Sequence, residues 1–387
     1  MSRSKFLFAA TLPAFTALAS AQAPVPSLHG YRAGADFSQT ARLAPGITHR
    51  FDSFTTGPLT INTVWFNLDE PTLEFEGEKG RDAMHRYETV PDTVKRLADP
   101  AARPLVAMNA DFYDGKAVMI GPFVDEGTIW KGPWYQDRKP RSTVAFDDIG
   151  NVFIGRPNLR FALSGAGNAL TIDRVNFSKE PEHTVAYTWP VGAEAPKAPE
   201  GKTQIVLELT KSGEWLPNAP APVIVRSTDD QSTITMSRTT IVIHTPMPAP
   251  RWIRKGARMT LHADLNQLPG KVTAMIGGMP RLIENGKVDV IAYAVEEGAG
   301  KAFATDLHPR TAVGLLKGRR TMVWVTVDGR QSTRSIGISL PDLATYMRSL
   351  GCVDAVNFDG GGSTTMVVGG DLVNFPSDAG GPRAVAN

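Results

Sequence analysis

Short apolar runs with a period of two, or with no polar interruption, recur along this chain far more often than helical spacing does. Residues 60–68 alternate as a half-buried strand does, and residues 105–109 form another short strand. Residues 143–146 and 152–154 flank Asp148-Ile149-Gly150-Asn151, which predicts a hairpin. Val90, Val94 and Leu97 lie at helical spacing and predict a helix over 89–97. From about 157 to 250 the chain is strand-rich, with strands at 205–209, 223–225 and 239–243. Three proline loops separate them, at Pro190, Pro196 and Pro199, at Pro217, Pro220 and Pro222, and at Pro246, Pro248 and Pro250.

The last third has the clearest pattern. Residues 311–316 and 322–327 are continuous apolar runs rich in β-branched residues, as expected of strands covered on both faces. Ser339-Leu340-Pro341-Asp342 reads as a helix start, with Ser339 as the cap and Asp342 as its partner acid. Leu343, Ala344, Met347 and Leu350 supply an apolar face, and Gly351 supplies the stop. The expected fold is α+β and β-dominant, with mixed sheets and few helices. The expected organisation is a leader at 1–21, a β-rich region at 22–100 packed on the main domain, and that domain at 101–387. Within the main domain, residues 157–265 form a proline-rich β elaboration.

Composition narrows the class. At 387 residues, 21% charged and 42% hydrophobic, the chain can bury a large core. A net charge of +2 argues against a nucleic acid or an anionic membrane as partner. Arg3 and Lys5, an apolar run at 6–18 broken by Pro13, and Ala19-Ser20-Ala21 form a cleavable export signal too short to span a membrane. Cleavage is expected after Ala21, placing the mature protein outside the cytoplasm. The single cysteine, Cys352, allows no disulfide within the chain and reads as a small buried filler.

Chemistry concentrates where an apolar strand meets Asn357-Phe358-Asp359-Gly360-Gly361-Gly362-Ser363-Thr364-Thr365. Three successive glycines weaken regular structure, so keeping them between strands suits a loop whose N–H groups approach a ligand. Alternation puts Ala355, Asn357 and Asp359 on one face and Val356 and Phe358 on the other. Asp328, in Val327-Asp328-Gly329, likewise closes a strand. Paired carboxylates at neighbouring strand ends serve glycoside hydrolysis or metal binding, and ordinary Asp-Gly turns look the same in isolation. His308-Pro309-Arg310-Thr311 places an arginine suited to phosphate or carboxylate, or to a structural ion pair. Arg330 and Arg334 extend a basic rim. Asn109-Ala110-Asp111-Phe112-Tyr113 puts polar groups at another strand end. The glycine run has neither the second flanking glycine of a serine-hydrolase elbow nor the lysine of a nucleotide phosphate loop. The seven histidines include no His-x-x-x-His pair.

Five stretches in the last third resemble, in order, those of the phosphodiester glycosidase family. They are His308-Pro309-Arg310-Thr311-Ala312-Val313-Gly314, Val327-Asp328-Gly329-Arg330, Ser335-Ile336-Gly337, the segment from Asn357 to Met366, and Val373-Asn374-Phe375-Pro376-Ser377-Asp378. Ile276-Gly277-Gly278-Met279-Pro280 and Asn109 to Tyr113 look like two further family segments. Ala110 and Tyr113 depart from the pattern, which weakens what can be carried to Asn109 and Asp111. The resemblance implies hydrolysis of a sugar C1–O bond to phosphate at a single cleft. On it, the candidate catalytic residues are Asp359, Asp328 and Asn109. The candidate substrate-binding residues are Arg310, Thr311, Arg330, Asn357, Gly360, Gly361, Gly362, Ser363, Thr364 and Asp111. No cofactor is required by this reading; a calcium ion on Asp328 and Asp359 is its variant. A different class is a non-catalytic polysaccharide-binding protein, using Trp130, Trp134, Trp189 or Trp215 as sugar platforms.

Overall fold

A computed structural model describes residues 35–387 except 100–103, 126, 134, 137–138, 178–181, 211–213, 229–231 and 247. The expected leader at 1–21 and Trp134 therefore lie outside the described residues. The main sheet has seven strands in the order Phe37–Ala44, Ile47–Phe54, Leu59–Asn67, Thr321–Val327, Arg310–Leu316, Cys352–Asn357 and Arg281–Ile283. All neighbours in it are antiparallel. A five-stranded sheet contains the hairpin Thr143–Asp147 with Val152–Gly155, and an eight-stranded sheet spans residues 159–265. The eight-stranded sheet includes one parallel pairing, Arg174–Val175 with Val185–Tyr187.

Side-chain alternation stacks these sheets. Ala312, Val323, Val325 and Ala355 point to one face of the main sheet and pack with Leu340, Leu343 and Met347. Val313, Leu315, Val356 and Phe358 point the other way and pack with Val144, Phe146 and Ala274 of the five-stranded sheet. That sheet in turn sends Val124, Ala145 and Met275 towards Leu163, Leu207 and Leu261 of the eight-stranded one. The order is helices, sheet, sheet, sheet. The two continuous apolar strands are covered on both faces, as their sequence requires.

Local signals worked where a side chain caps the backbone. Thr89 accepts from the Asp92 N–H at the start of helix Val90–Leu97. Ser339 accepts from the Asp342 N–H and donates to its carboxylate, starting helix Leu340–Ser349. Gly351 then ends that helix with φ +97°. In the 147–151 turn, Asp147 accepts from the N–H groups of Ile149 and Asn151. Two short helices, Val290–Glu296 and Lys301–Thr305, were not expected from periodicity; neither is long enough to repeat an apolar face. Trp130 and Trp215 are core residues, each 1% exposed, so neither forms a sugar platform. Cys352 is buried, and burial pushes its thiol up to about 12. Among the described residues no helix is long and apolar enough to cross a membrane.

Candidate active site

At one end of the main sheet two strands finish, at Val327 and Asn357, and the antiparallel strand between them begins, at Arg310. Arg310 pairs with Val327, so Asp328 follows next to it, and Ala312 pairs with Asn357, so Asp359 emerges beside Arg310. The glycine loop is then tied down through its backbone. The Phe358 N–H donates to the Thr311 carbonyl at 2.8 Å, Asp359 to Ala110 at 2.8 Å, and Gly361 to Pro309 at 2.9 Å. A Cβ on Gly360 would stand 2.6 Å from the Pro309 carbonyl oxygen. Gly361 has φ +61°, and a Cβ there would meet the Arg330 guanidinium at 2.9 Å. The glycines are thus required by positive φ at Gly361 and by close approach to the protein's own groups, whereas the N–H groups expected to face a ligand are bonded to protein oxygens.

Asp359 is half-buried at the mouth of this loop. Burial raises its carboxyl above the usual range, while hydrogen bonds from Ser363 and the Gly360 N–H, and the charges of Arg383 and Arg330, oppose that rise. The Gly360 N–H to carboxylate distance is 2.9 Å. Arg330 is exposed over Gly361, and Arg383 is exposed and ion-paired to Asp378 at 2.8 Å. Tyr113 places its hydroxyl 3.4 Å from that of Ser363. Burial raises the Tyr113 phenol, with Ser363 and Arg383 opposing and Asp359 adding to the rise. One acid, two arginines and the Tyr113 hydroxyl therefore share a single surface, with the buried Ser363 hydroxyl beneath it and the loop N–H groups of Gly360, Gly361, Ser363 and Thr364 bonded to protein oxygens.

The other expected residues brace this surface. Asn109, 1% exposed, donates to the Asp359 carbonyl at 2.7 Å and accepts from Thr311 at 2.9 Å and the Thr365 N–H at 3.0 Å. Asp328, also 1% exposed, accepts from Thr60 at 2.7 Å, the Phe375 N–H at 2.9 Å and Asn374 at 3.1 Å. Burial raises its carboxyl, and those donors oppose the rise. Asn374 also donates to the Thr364 carbonyl, tying Asp328 to the loop. A cation shared by Asp328 and Asp359 would have to displace the protein donors from Asp328. Among the described residues no group of three or more His, Cys, Asp or Glu side chains is arranged to hold a metal ion.

Arg310 reaches this end, but its guanidinium turns inward. It donates to the carbonyls of Phe303, Asp306 and Ile338 at 2.8, 2.9 and 3.3 Å, and burial pulls it down to about 10. Asn357 donates to the Met279 carbonyl at 2.7 Å and clamps the Gly278-Met279-Pro280 segment, its buried Oδ1 making no hydrogen bond. Asp111 is buried where Gly121 and Gly277 cross, accepting from the Gly121 N–H at 2.7 Å. Burial pushes it up to about 6 and pulls nearby Lys131 down to about 8. Arg383 was not found by sequence reasoning, because its role depends on a chain reversal after Asp378. Tyr113 was noticed only as an unusual aromatic.

Fold and site together place one half-buried acid between two arginines at the end of the main sheet of a layered β protein. Residues 223–387 match the family model described as phosphodiester glycosidase. A stretch of 112 residues is 35% identical to bovine N-acetylglucosamine-1-phosphodiester alpha-N-acetylglucosaminidase, covering 27% of this chain and 20% of that protein. An uncharacterized SPbeta prophage-derived protein of Bacillus subtilis is 45% identical over 80 residues, 21% of this chain and 12% of that one. The matched region thus spans a fifth or less of those two relatives' length. A hypothetical protein from Synechocystis shares the fold with a TM-score of 0.69 and 21% identity, over 92% of this chain and 64% of its own. A putative exported protein from Burkholderia pseudomallei does so with 0.61 and 20%, over 86% and 74%.

Proposed function

We propose that this protein is a hydrolase that cleaves the sugar C1–O bond of a sugar-1-phosphodiester. The observation that carries the reading is the placement of Asp359, one half-buried acid on a glycine loop flanked by Arg330 and Arg383. A phosphodiester is a weak base, so its departure needs charge neutralisation more than a strong general acid. Arg330 and Arg383 supply donors for its oxygens. Asp359 faces the positive charge that develops at the anomeric carbon, as nucleophile or as electrostatic stabiliser. Tyr113 and Ser363 orient the sugar or the attacking water. Asn109, Asp328 and Arg310 hold the loop from behind. In the net reaction a water oxygen joins C1, the C1–O bond breaks, and the phosphate leaves with the electron pair. The water's protons end on the sugar hydroxyl and in solvent.

The natural substrate on this reading is an N-acetylglucosamine-1-phosphodiester or a phosphate-linked surface polysaccharide. The export signal at 1–21 fits a secreted or periplasmic enzyme. The direct test is hydrolysis of UDP-N-acetylglucosamine in ¹⁸O-labelled water. Label in the sugar supports C1–O cleavage; label in the phosphate, or no turnover of this or a sugar-1-phosphodiester polymer, overturns the assignment.

A further inference from the structure

The main sheet and the five-stranded sheet do not close on each other completely. A cavity of about 170 Å³, partly open to solvent, remains between them. Phe66 and Trp324 wall it from the main sheet, Phe146 and Ile276 from the five-stranded one, and Val94 from helix Val90–Leu97. Its polar lining side chains are Glu74, Glu76, Glu78 and Glu88, with Thr93 and Asn387. Protein interiors normally leave few voids larger than a water molecule. An enclosed void of about 150 Å³ lined by aliphatic and aromatic side chains takes up benzene or xenon in another protein, which sets the size of guest such a volume admits.

One wall is of a different kind from the rest. Residues 73–79 belong to no strand or helix, yet Leu73, Phe75 and Gly77 turn inward while Glu74 and Glu76 are exposed. Phe75 lies stacked on Phe146, with ring centroids 4.7 Å apart and planes 15° apart. The wall is therefore a strap held mainly by aromatic contacts, with Phe66 and Trp324 completing the cluster at 5.4 and 5.9 Å. A stacked ring contact is easier to part than a hydrogen-bonded ladder. Glu78 and Glu88 are ion-paired with Arg96, and no lysine or arginine among the described residues lines the cavity to receive an anionic headgroup.

We infer that this cavity is a second binding site, for an uncharged aryl or alkyl group of about six carbon atoms. It is distinct from the glycine loop, because Phe358 faces the cavity while the loop surface begins at Asp359. The test uses the full chain with benzene, hexan-1-ol and hexanoate in thermal-shift titrations, and xenon-pressurised crystals. Benzene and hexan-1-ol should raise the melting temperature saturably, hexanoate should need at least tenfold more ligand, and xenon density should lie beside Phe75 and Phe146. Two variants that fill the space, Val94→Phe and Ala107→Leu, should abolish the response; either one suffices if the other fails to fold. No saturable shift and no xenon density in the wild type, a response unchanged in a folded filling variant, or equal binding of hexanoate would overturn the inference.

Discussion

Replacing Asp359 by asparagine separates charge from shape at the proposed centre. The amide oxygen can still accept from the Gly360 N–H, so the loop keeps that 2.9 Å bond. A unit negative charge about 4 Å from a developing positive charge contributes roughly 4 kcal/mol at an effective dielectric near 20. Losing it should lower kcat/KM about 10³-fold. Stability should move the other way. Burial raises the Asp359 carboxyl in the folded protein, so the native state binds more protons than the unfolded state between the ordinary carboxyl range and the raised value. Stability contributed by this group is therefore full at low pH and falls as pH rises through that window. Asp359→Asn removes that dependence, and at pH 7 it should melt at or slightly above the wild-type temperature. The assay pairs steady-state hydrolysis of UDP-N-acetylglucosamine with thermal melts at pH 4 and pH 7. Turnover per folded molecule within tenfold of wild type, or a melt several degrees lower at pH 7, would refute the reasoning.

Asp328→Ala should cost about 3–5 kcal/mol by chemical denaturation, because it strands the buried donors of Thr60, Asn374 and Phe375. Arg330→Ala should raise KM for a phosphodiester by roughly 10- to 100-fold, the worth of a charge-assisted hydrogen bond. The same variant should leave a neutral aryl glycoside nearly unaffected, and comparing the two substrates checks this. Gly360→Ala forces a methyl group against the Pro309 carbonyl. It should destabilise by about 1–3 kcal/mol and lower activity together, read by parallel melts and rates. Tyr113→Phe should leave the melting temperature within a degree or two and lower kcat, since only the hydroxyl beside Ser363 is lost.

Most of the scaffold was legible in one dimension. The apolar runs at 311–316 and 322–327 became central strands, Ser339 capped the helix it precedes, and the helix expected over 89–97 formed at Val90–Leu97 with Thr89 as its cap. Such features depend on a residue and its near neighbours, and the chain carries that information directly. Helix Val290–Glu296 was hidden because seven residues complete barely two turns. Strand Phe37–Ala44 was hidden because, at the sheet edge, much of it stays exposed and shows little apolar contrast.

The sequence by itself determined that acids follow the ends of two apolar strands, that an arginine stands before a third, and that the glycine run lies in a loop between strands. Only the tertiary structure decided which of those side chains meet solvent. Arg310 turns towards three carbonyls and Asp328 towards three donors, whereas Asp359, Arg330 and Arg383 remain at the surface. The physical reason is that a charged side chain is either matched inside or left outside, and its partners lie far away along the chain. Thr60 is 268 residues from Asp328, a separation that no local pattern encodes.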